Sequence, residues 1–222
     1  MPPTERAAAA RGAARKRPVL FVLAGVNGAG KSSVGGHLLA RQDLPWFNPD
    51  TFARELVAAI GCDQRAANIA AWNEGVRRLD QAIAKRRSFA IETTLGGHTM
   101  PAKIAKASRT HDVLMWFCGL DTDDHHVARV RARVAADGHD IPEAKIRERY
   151  PAALTNLIVL LPKIARLRVY DNSQDAAPGE PIPDPLLVAE VVRGKLAWPT
   201  SAEDLQKTPD WARPIMAAAM GL

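Results

Sequence analysis

The chain has 222 residues, 47% of them hydrophobic and 5% aromatic, and this length suits one α/β domain with short additions. So few aromatic side chains argue against a stacking surface for single-stranded nucleic acid. The net charge of +6 is concentrated at one end: the first 17 residues carry five basic residues against Glu5, which leaves the rest of the chain at only +2. We interpret residues 1–17 as a disordered, solubilising basic arm, with a weak electrostatic contact to nucleic acid or membrane as the alternative.

The apolar segments of the chain are short. The first one after the basic start runs from Val19 to Ala24, which is too short for a secretory signal or a bilayer crossing. Cys62 and Cys118 are the only cysteines, and they do not form a disulfide framework. We therefore expect a cytoplasmic protein that has no membrane partner.

Predicted strands and helices alternate along the first 173 residues. The run 18–24 is continuously apolar, which is typical of a strand buried on both faces of a parallel sheet. Further strands are predicted at 46–48, 88–94, 112–120 and 168–171. The predicted helices are 31–41, 50–60, 66–87, 101–108, 123–136 and 142–165. This alternation indicates an α/β three-layer sandwich with a mainly parallel five-stranded sheet.

The helix predicted at 66–87 carries one apolar stripe. Its members recur at intervals of three and four residues, and we interpret them as core. They are Ile69, Trp72, Val76, Leu79 and Ile83.

The character of the chain changes after Asn172. Four prolines between 178 and 185 indicate an irregular stretch, residues 187–192 and 195–198 form a predicted hairpin, and 209–220 a short helix. We therefore divide the chain into the arm 1–17, a domain at 18–173 and a small C-terminal extension at 174–222.

The segment from Gly25 to Ser32 fits the pattern GxxxxGK[ST] at every fixed position. It lies between a buried strand and a helix, where peptide N–H groups and the helix dipole hold phosphates. Lys31 is expected to bridge the β- and γ-phosphates of ATP, and the Ser32 hydroxyl to bind Mg²⁺. The motif predicts a P-loop NTPase fold that uses ATP and Mg²⁺. The predicted nucleotide-binding residues are Gly25, Asn27, Gly28, Ala29, Gly30, Lys31, Ser32 and Ser33.

Two absences in the sequence narrow the class of P-loop protein. The chain has no Asn-Lys-x-Asp, which reads guanine in GTPases, and no apolar strand that ends in Asp-Glu, as in motor ATPases. These absences favour a kinase, in which the second substrate provides the nucleophile.

A kinase needs a group that accepts or orients the acceptor hydroxyl. Asp50 follows the second strand, at the edge of the sheet where ligands bind, and it is predicted as catalytic base, as N-cap of the next helix, or as both. Glu92 ends the third strand, where a carboxylate is costly unless it is partnered or faces a polar cleft, and we predict that it faces substrate or metal. We predict a substrate-binding set of Asn48, Glu92 and Thr93.

Basic residues flank the break Gly-His-Asp-Ile-Pro at 138–142. This arrangement predicts a helical lid at about 129–150 that closes over the phosphates. Arg147 and Arg149 lie about 200° apart on a helix, so one of them is expected to point at the site. The alternative is a solvated charged face, because four acidic residues lie among the basic ones. His139 either contacts phosphate or is an ordinary loop histidine, and His125 and His126 are interpreted as helix surface.

Five segments, in this order, resemble the zeta-toxin family of P-loop kinases between Val19 and Ser173. They are AGVNGAGKSS (24–33), FNPD (47–50), AIETTLGG (90–97), RVRARVAADGHDIPEAKIRERY (129–150) and YDNS (170–173). The resemblance implies a kinase that phosphorylates the sugar 3′-hydroxyl of UDP-N-acetylglucosamine and is held by a separate antitoxin.

The resemblance also implies roles for single residues. Asp50 is similar to the family's catalytic base, Lys31 to its P-loop lysine and Glu92 to its acceptor-binding acid. Arg133 resembles the first charge-stabilising arginine. Arg147 or Arg149 resembles the second, because the lid is spaced differently here.

The sequence thus predicts an ATP-dependent kinase that phosphorylates the hydroxyl of a small molecule, with a nucleotide sugar as one candidate. We do not expect nucleic acid as a partner. Two alternatives stay open: a kinase for another acceptor (a nucleoside, an antibiotic or a polynucleotide end), and a nucleotide-gated binding module without turnover.

Overall fold

The computed structural model describes residues 16–31, 35, 46–136, 138–176, 180 and 183–222. The predicted helix at 31–41, apart from two positions, lies outside the described residues. So do Ser32, Ser33 and all of the basic arm before Lys16. The other predicted elements are described over most of their length.

The fold is built on one seven-stranded sheet in the order β2-β3-β1-β4-β5-β6-β7. The first five strands are parallel, while β6 and β7 run antiparallel. The α/β class with a mainly parallel sheet is confirmed. The strands are β1 Val19–Ala24, β2 Trp46–Phe47, β3 Phe89–Thr93, β4 Asp112–Gly119, β5 Arg166–Asp171, β6 Leu186–Val192 and β7 Lys195–Trp198.

The predicted number of five strands was wrong, because the C-terminal hairpin joins the sheet. Strand β6 pairs with β5, with Arg166 opposite Val192, and β7 continues the sheet beyond β6. An unpaired β5 would expose a row of backbone N–H and C=O groups. The hairpin satisfies these groups and buries Val188 and Val191 against the core.

Helices connect the parallel strands, as βαβ crossovers require. Three of them begin with a side-chain cap: Asn48, Asp63 and Thr122 each accept a hydrogen bond from a backbone N–H in the first turn. In the described part of the chain, no helix has the length and apolarity needed to cross a membrane. The helices are α1 Pro49–Ile60, α2 Gln64–Lys85, α3 Thr99–Ala107, α4 Asp123–Ala135, α5 Glu143–Leu160, α6 Ala202–Gln206 and α7 Arg213–Met220, with 3-10 turns at Leu161–Lys163 and Asp210–Ala212.

The core face of α2 differs from the predicted apolar stripe. Trp72 and Ile69 are 46% and 55% exposed, so the prediction that they belong to the core was wrong. The helix instead turns small residues inward. A side chain at Gly75 would lie 2.8 Å from the Phe47 ring, and Ala71 is buried near α1. Close approach of the helix to β2 therefore requires small residues, and these carry little weight in a hydrophobic pattern.

The C-terminal segment closes the main core. Trp211 and Ile215 are buried among residues of β4 and α5, and the Phe117 and Trp211 rings lie 6.3 Å apart. A side chain at Gly119 would overlap the Trp211 indole. The end of β4 next to the P-loop therefore packs directly on the C-terminal segment.

Candidate functional site

A cavity of about 270 Å³ opens at the carboxyl ends of β1, β2 and β3. Ligands of open α/β sheets bind at this edge. The cavity brings together residues of the P-loop, the start of α1, α2, the end of β3, the lid break and α5. It is lined by Asn27, Lys31, Pro49, Asp50, Asn68, Ala71, Trp72, Gly75, Glu92, Thr93, Thr94, Gly97, Thr99, Met100, His139, Ile141 and Arg149.

Two buried polar side chains donate hydrogen bonds to the backbone of the P-loop. Gly28 and Gly30 have φ angles of 86° and 76°, which a side chain would strain. His126 donates from Nδ1 to the Asn27 carbonyl at 2.8 Å, and Asn172 donates from Nδ2 to the Ala29 carbonyl at 3.0 Å. These bonds occupy carbonyls, so the two side chains do not compete with an anion for the loop's N–H groups. Two of those N–H groups already have partners, because Gly25 donates to the Thr93 carbonyl at 3.2 Å and Ala29 to the Val26 carbonyl at 3.1 Å.

His126 is buried, which corrects its interpretation as helix surface. Only 1% of the residue is exposed, and its ring packs edge-on to Tyr150 at 5.5 Å. Burial lowers the pKa of His126 to about 4, so the ring is neutral at physiological pH. Its spacing to the buried Val130, four residues on, was the signal in the sequence that could have indicated this position.

Lys31 and Glu92 form a buried ion pair at the base of the cavity. The Lys31 Nζ lies 3.5 Å from Glu92 Oε1 and donates to the Val26 carbonyl at 3.3 Å. Asn48 donates from Nδ2 to Glu92 Oε2 at 2.8 Å. Burial raises the pKa of Glu92, the Lys31 ammonium lowers it, and the charge of Asp50 raises it again. The pair therefore places one cation and one carboxylate where the P-loop and β3 meet.

Asp50 lies in the first turn of α1 and lines the cavity. The helix is capped by Asn48, whose Oδ1 accepts from the Thr51 N–H at 3.0 Å. The predicted role of Asp50 as N-cap was therefore wrong, because α1 begins two residues earlier than that role requires. Among the described residues, the Asp50 carboxylate makes no hydrogen bond or ion pair. It is available to an acceptor hydroxyl.

Two arginines on α5 have different surroundings. Arg149 lines the cavity and donates to Asn27 Oδ1 at 2.7 Å. Arg147 points away from the cavity and donates to Asp123, Asp124 and Glu143 at 2.6 to 2.8 Å. The structure thus brings Arg149, and not Arg147, to the P-loop.

Arg133 and His139, which belong to the segment predicted as a lid, also differ in their surroundings. Arg133 lies outside the cavity lining and donates from Nη2 to the His139 carbonyl at 3.0 Å. His139 itself lines the cavity, where burial lowers its pKa and the nearby Asp50 offsets only part of that shift. Arg133 therefore supports the turn that carries His139 to the cavity.

The loop after β3 forms one wall of the cavity. Asn156 of α5 donates from Nδ2 to the Leu95 and Gly97 carbonyls, at 2.8 and 3.1 Å. Leu95 is fully buried with a φ of 58°, a conformation that costs free energy for a bulky residue. This loop is therefore held in one shape by α5, and the Trp72 and Met100 side chains line the cavity beside it.

Six of the sequence-predicted residues line one cavity, and their charges are complementary to a phosphorylated substrate. Lys31 and Arg149 supply cationic donors, and Asp50 and Glu92 supply carboxylates. Carboxylate oxygens are ligands that suit Mg²⁺, whereas the predicted ligand Ser32 lies outside the described residues.

Sequence reasoning missed Trp72 as a cavity residue, and it missed His126, Asn156 and Asn172, whose hydrogen bonds hold the loops around the cavity. Six residues were predicted for the site and do line the cavity. The six are Asn27, Lys31, Asp50, Glu92, Thr93 and Arg149.

A sequence model of an AAA-domain family matches residues 20–150, which is more than half of the chain. The matched region begins in β1 and ends in α5, so it includes the P-loop, Asp50, Glu92 and Arg149. No curated protein is significantly similar to the chain in sequence.

Three solved structures are similar to the chain in fold. The AvrRxo1-ORF1:-ORF2 complex with ATP gives a TM-score of 0.60 at 16% identity, over 89% of this chain and 65% of that chain. PezAT, a toxin-antitoxin system of Streptococcus pneumoniae, gives a TM-score of 0.50 at 15% identity, over 75% of this chain and 72% of that chain. The Pnkp1/Rnl/Hen1 RNA repair complex gives a TM-score of 0.51 at 17% identity, over 66% of this chain and 47% of that chain. The chain spans less than two thirds of the AvrRxo1 chain, and these identities show the fold alone.

Proposed function

Because the chain belongs to this AAA-domain family of P-loop proteins, we propose that it is an ATP-dependent kinase for a small-molecule hydroxyl. The observation that carries the proposal is the position of Asp50. Its unpaired carboxylate lines the same cavity as Lys31 and Arg149. A protein that only binds nucleotide has no need of a free base beside the phosphates.

The nucleotide would bind with its phosphates on the P-loop. N–H groups of the P-loop other than those of Gly25 and Ala29 would donate to the phosphate oxygens, while His126 and Asn172 keep the loop in shape. A bound phosphate would compete with Glu92 for the Lys31 ammonium, because the two now lie only 3.5 Å apart. Ser32 and phosphate oxygens are the ligands that we propose for Mg²⁺, which when bound would neutralise charge on the β- and γ-phosphates.

Transfer would proceed by in-line displacement. The acceptor oxygen attacks the γ-phosphorus and gives its proton to the Asp50 carboxylate. The bond from the γ-phosphorus to the bridging oxygen breaks, and ADP leaves with that electron pair. Arg149 would stabilise the charge that develops on the γ-phosphoryl oxygens.

The acceptor that we propose is of zeta-toxin type, a nucleotide sugar such as UDP-N-acetylglucosamine. Glu92, which lines the cavity, would accept from its hydroxyls. Asn48, predicted to bind substrate, is not part of the cavity lining, and we propose that it orients the Glu92 carboxylate through its bond at 2.8 Å. The toxin-antitoxin neighbour supports a separate antitoxin as a partner of this chain. These assignments rest on the resemblance in the sequence and on the residues of the cavity.

The test is phosphoryl transfer from γ-labelled ATP to UDP-N-acetylglucosamine and to a panel of nucleosides, sugars and polynucleotide ends. We expect one acceptor to be labelled by the wild-type protein and none by Lys31→Ala. Labelling of another acceptor would support the proposed kinase activity and reject the nucleotide sugar as its acceptor. Nucleotide binding without labelling of any acceptor would reject the kinase in favour of a binding module.

A further inference from the structure

The amino ends of the parallel strands form the edge of the sheet opposite the cavity. Val19 lies opposite Asp112, and Leu114 opposite Arg166, so these strands begin at one level. Hydrogen bonds connect the loops at this edge. Arg17 donates from Nη2 to the Ser108 and His111 carbonyls, at 2.7 and 2.9 Å. The edge is therefore one continuous surface.

This surface carries eleven basic residues, all exposed, which we call the basic pole. They come from the start of β1, the ends of α2 and α3, the 3-10 turn after α5, the start of β5 and the β6–β7 turn. They are Lys16, Arg17, Lys85, Arg86, Arg87, Lys106, Arg109, Lys163, Arg166, Arg193 and Lys195.

Few acidic residues accompany them. Arg17 pairs with Asp112 at 3.3 Å, and Arg166 pairs with Glu190 at 3.3 Å. The other nine have no ion-pair partner among the described residues. Helix C-termini favour single cations, which explains Lys85 and Lys106. It does not explain the arginines that come from loops and strand ends.

The basic pole is also concave. One depression of about 720 Å³ is lined by Lys16, Arg17, Lys85 and Arg86. A second of about 150 Å³ shares Arg17 and adds Lys163 and Arg193. Unpaired cations around adjoining depressions focus a positive potential and attract anions.

We propose that the basic pole binds the phosphate backbone of duplex nucleic acid without reading its sequence. The pole frames no exposed aromatic side chain among the described residues, which argues against single-strand stacking and against anchoring at a membrane interface. The site is separate from the cavity, since the two lie at opposite ends of the strands.

The test measures binding of the full-length protein to a labelled DNA duplex of random sequence over a series of salt concentrations. The triple variant Arg87→Gln, Arg109→Gln, Lys163→Gln removes three exposed charges of the basic pole. The control Arg65→Gln, Lys207→Gln, Arg213→Gln removes three exposed charges elsewhere and gives the same net charge. Each lost phosphate contact lowers the slope of log affinity against log salt by roughly 0.9.

We expect the pole variant to bind at least about tenfold more weakly, with a slope smaller by roughly two to three, while the control binds as wild type does. Phosphoryl transfer should be unchanged in both variants. Equal weakening by the control would overturn the proposal, because binding would then depend on net charge alone. Failure of the wild type to bind the duplex, or tighter binding to phosphatidylserine vesicles than to the duplex, would also overturn it.

Discussion

Arg147 and Arg149 lie two positions apart on α5 and have opposite surroundings. Arg149 reaches the P-loop, whereas Arg147 is neutralised by three carboxylates outside the cavity. Arg149→Gln should lower phosphoryl transfer by about 10³-fold, because the charge on the transferring group loses a cation. Arg147→Gln serves as the matched control and should transfer nearly as wild type does. Steady-state kinetics of the two variants would contradict this assignment if Arg147→Gln lost more activity than Arg149→Gln.

His126 makes the free energy of unfolding depend on pH. Its pKa is lowered from 6.5 to about 4 in the folded protein, so between these values the unfolded chain binds a proton that the folded protein does not. The stability from neutral His126 is present above pH 6.5 and is lost as the pH falls through about 4. The loss is on the order of 3 kcal/mol.

The variant His126→Asn tests this linkage, because the Asn amide can still donate to the Asn27 carbonyl but does not titrate. We expect denaturant unfolding to show wild-type stability falling between pH 6.5 and 4.5, with a much flatter profile for His126→Asn. Parallel profiles would show that His126 is not the group responsible.

At the scale of single elements, α5 connects the P-loop with the loop after β3. Asn156 holds two carbonyls of that loop, which contains the strained Leu95. Asn156→Ala should release the loop, raise KM for the acceptor several-fold and leave the affinity for ATP unchanged. Thr155→Ala is the control, because the Thr155 hydroxyl bonds only to the Pro151 carbonyl of its own helix. If Asn156→Ala raised the KM for ATP by a larger factor than the KM for the acceptor, this role of Asn156 would be contradicted.

Elements with strong local signals were predictable from the sequence, whereas contacts and hydrogen bonds between distant elements were not. The P-loop, the strand before it and the break between α4 and α5 each follow from consecutive residues. Trp72 and His126 were assigned to the wrong environments, because their burial depends on which helix face meets a neighbour. Asn156 and Asn172 act through backbone carbonyls about 60 and 143 residues away, and no local pattern in the sequence indicates such bonds.

At the scale of the molecule, the division into a domain and a C-terminal extension stays a prediction that stability can test. Trp211 is 7% exposed and packs on β4 beside the P-loop. Because Trp211 is buried in the main core, Trp211→Ala should destabilise the protein by about 3–5 kcal/mol. Leu186→Ala, at a position 59% exposed, should cost less than about 0.5 kcal/mol. A separable extension would instead leave global unfolding unchanged in Trp211→Ala.

The distribution of charge also belongs to the whole molecule. Outside the arm, the chain has a net charge of only +2, which gave no reason to expect a polyanion as a partner. The fold separates charges that the sequence mixes, because exposed cations from six segments meet at the amino ends of the strands. Net charge is a sum, and it cannot show this separation.

The central claim is that the cavity performs phosphoryl transfer with Asp50 as the base. The most direct measurement compares Asp50→Asn with wild type, and with Asp140→Asn as a lid control outside the cavity, for ATP binding and for transfer from γ-labelled ATP. We predict that Asp50→Asn binds ATP as wild type does but transfers about 10²- to 10⁴-fold more slowly, while Asp140→Asn retains transfer. Transfer by Asp50→Asn at the wild-type rate would contradict the account.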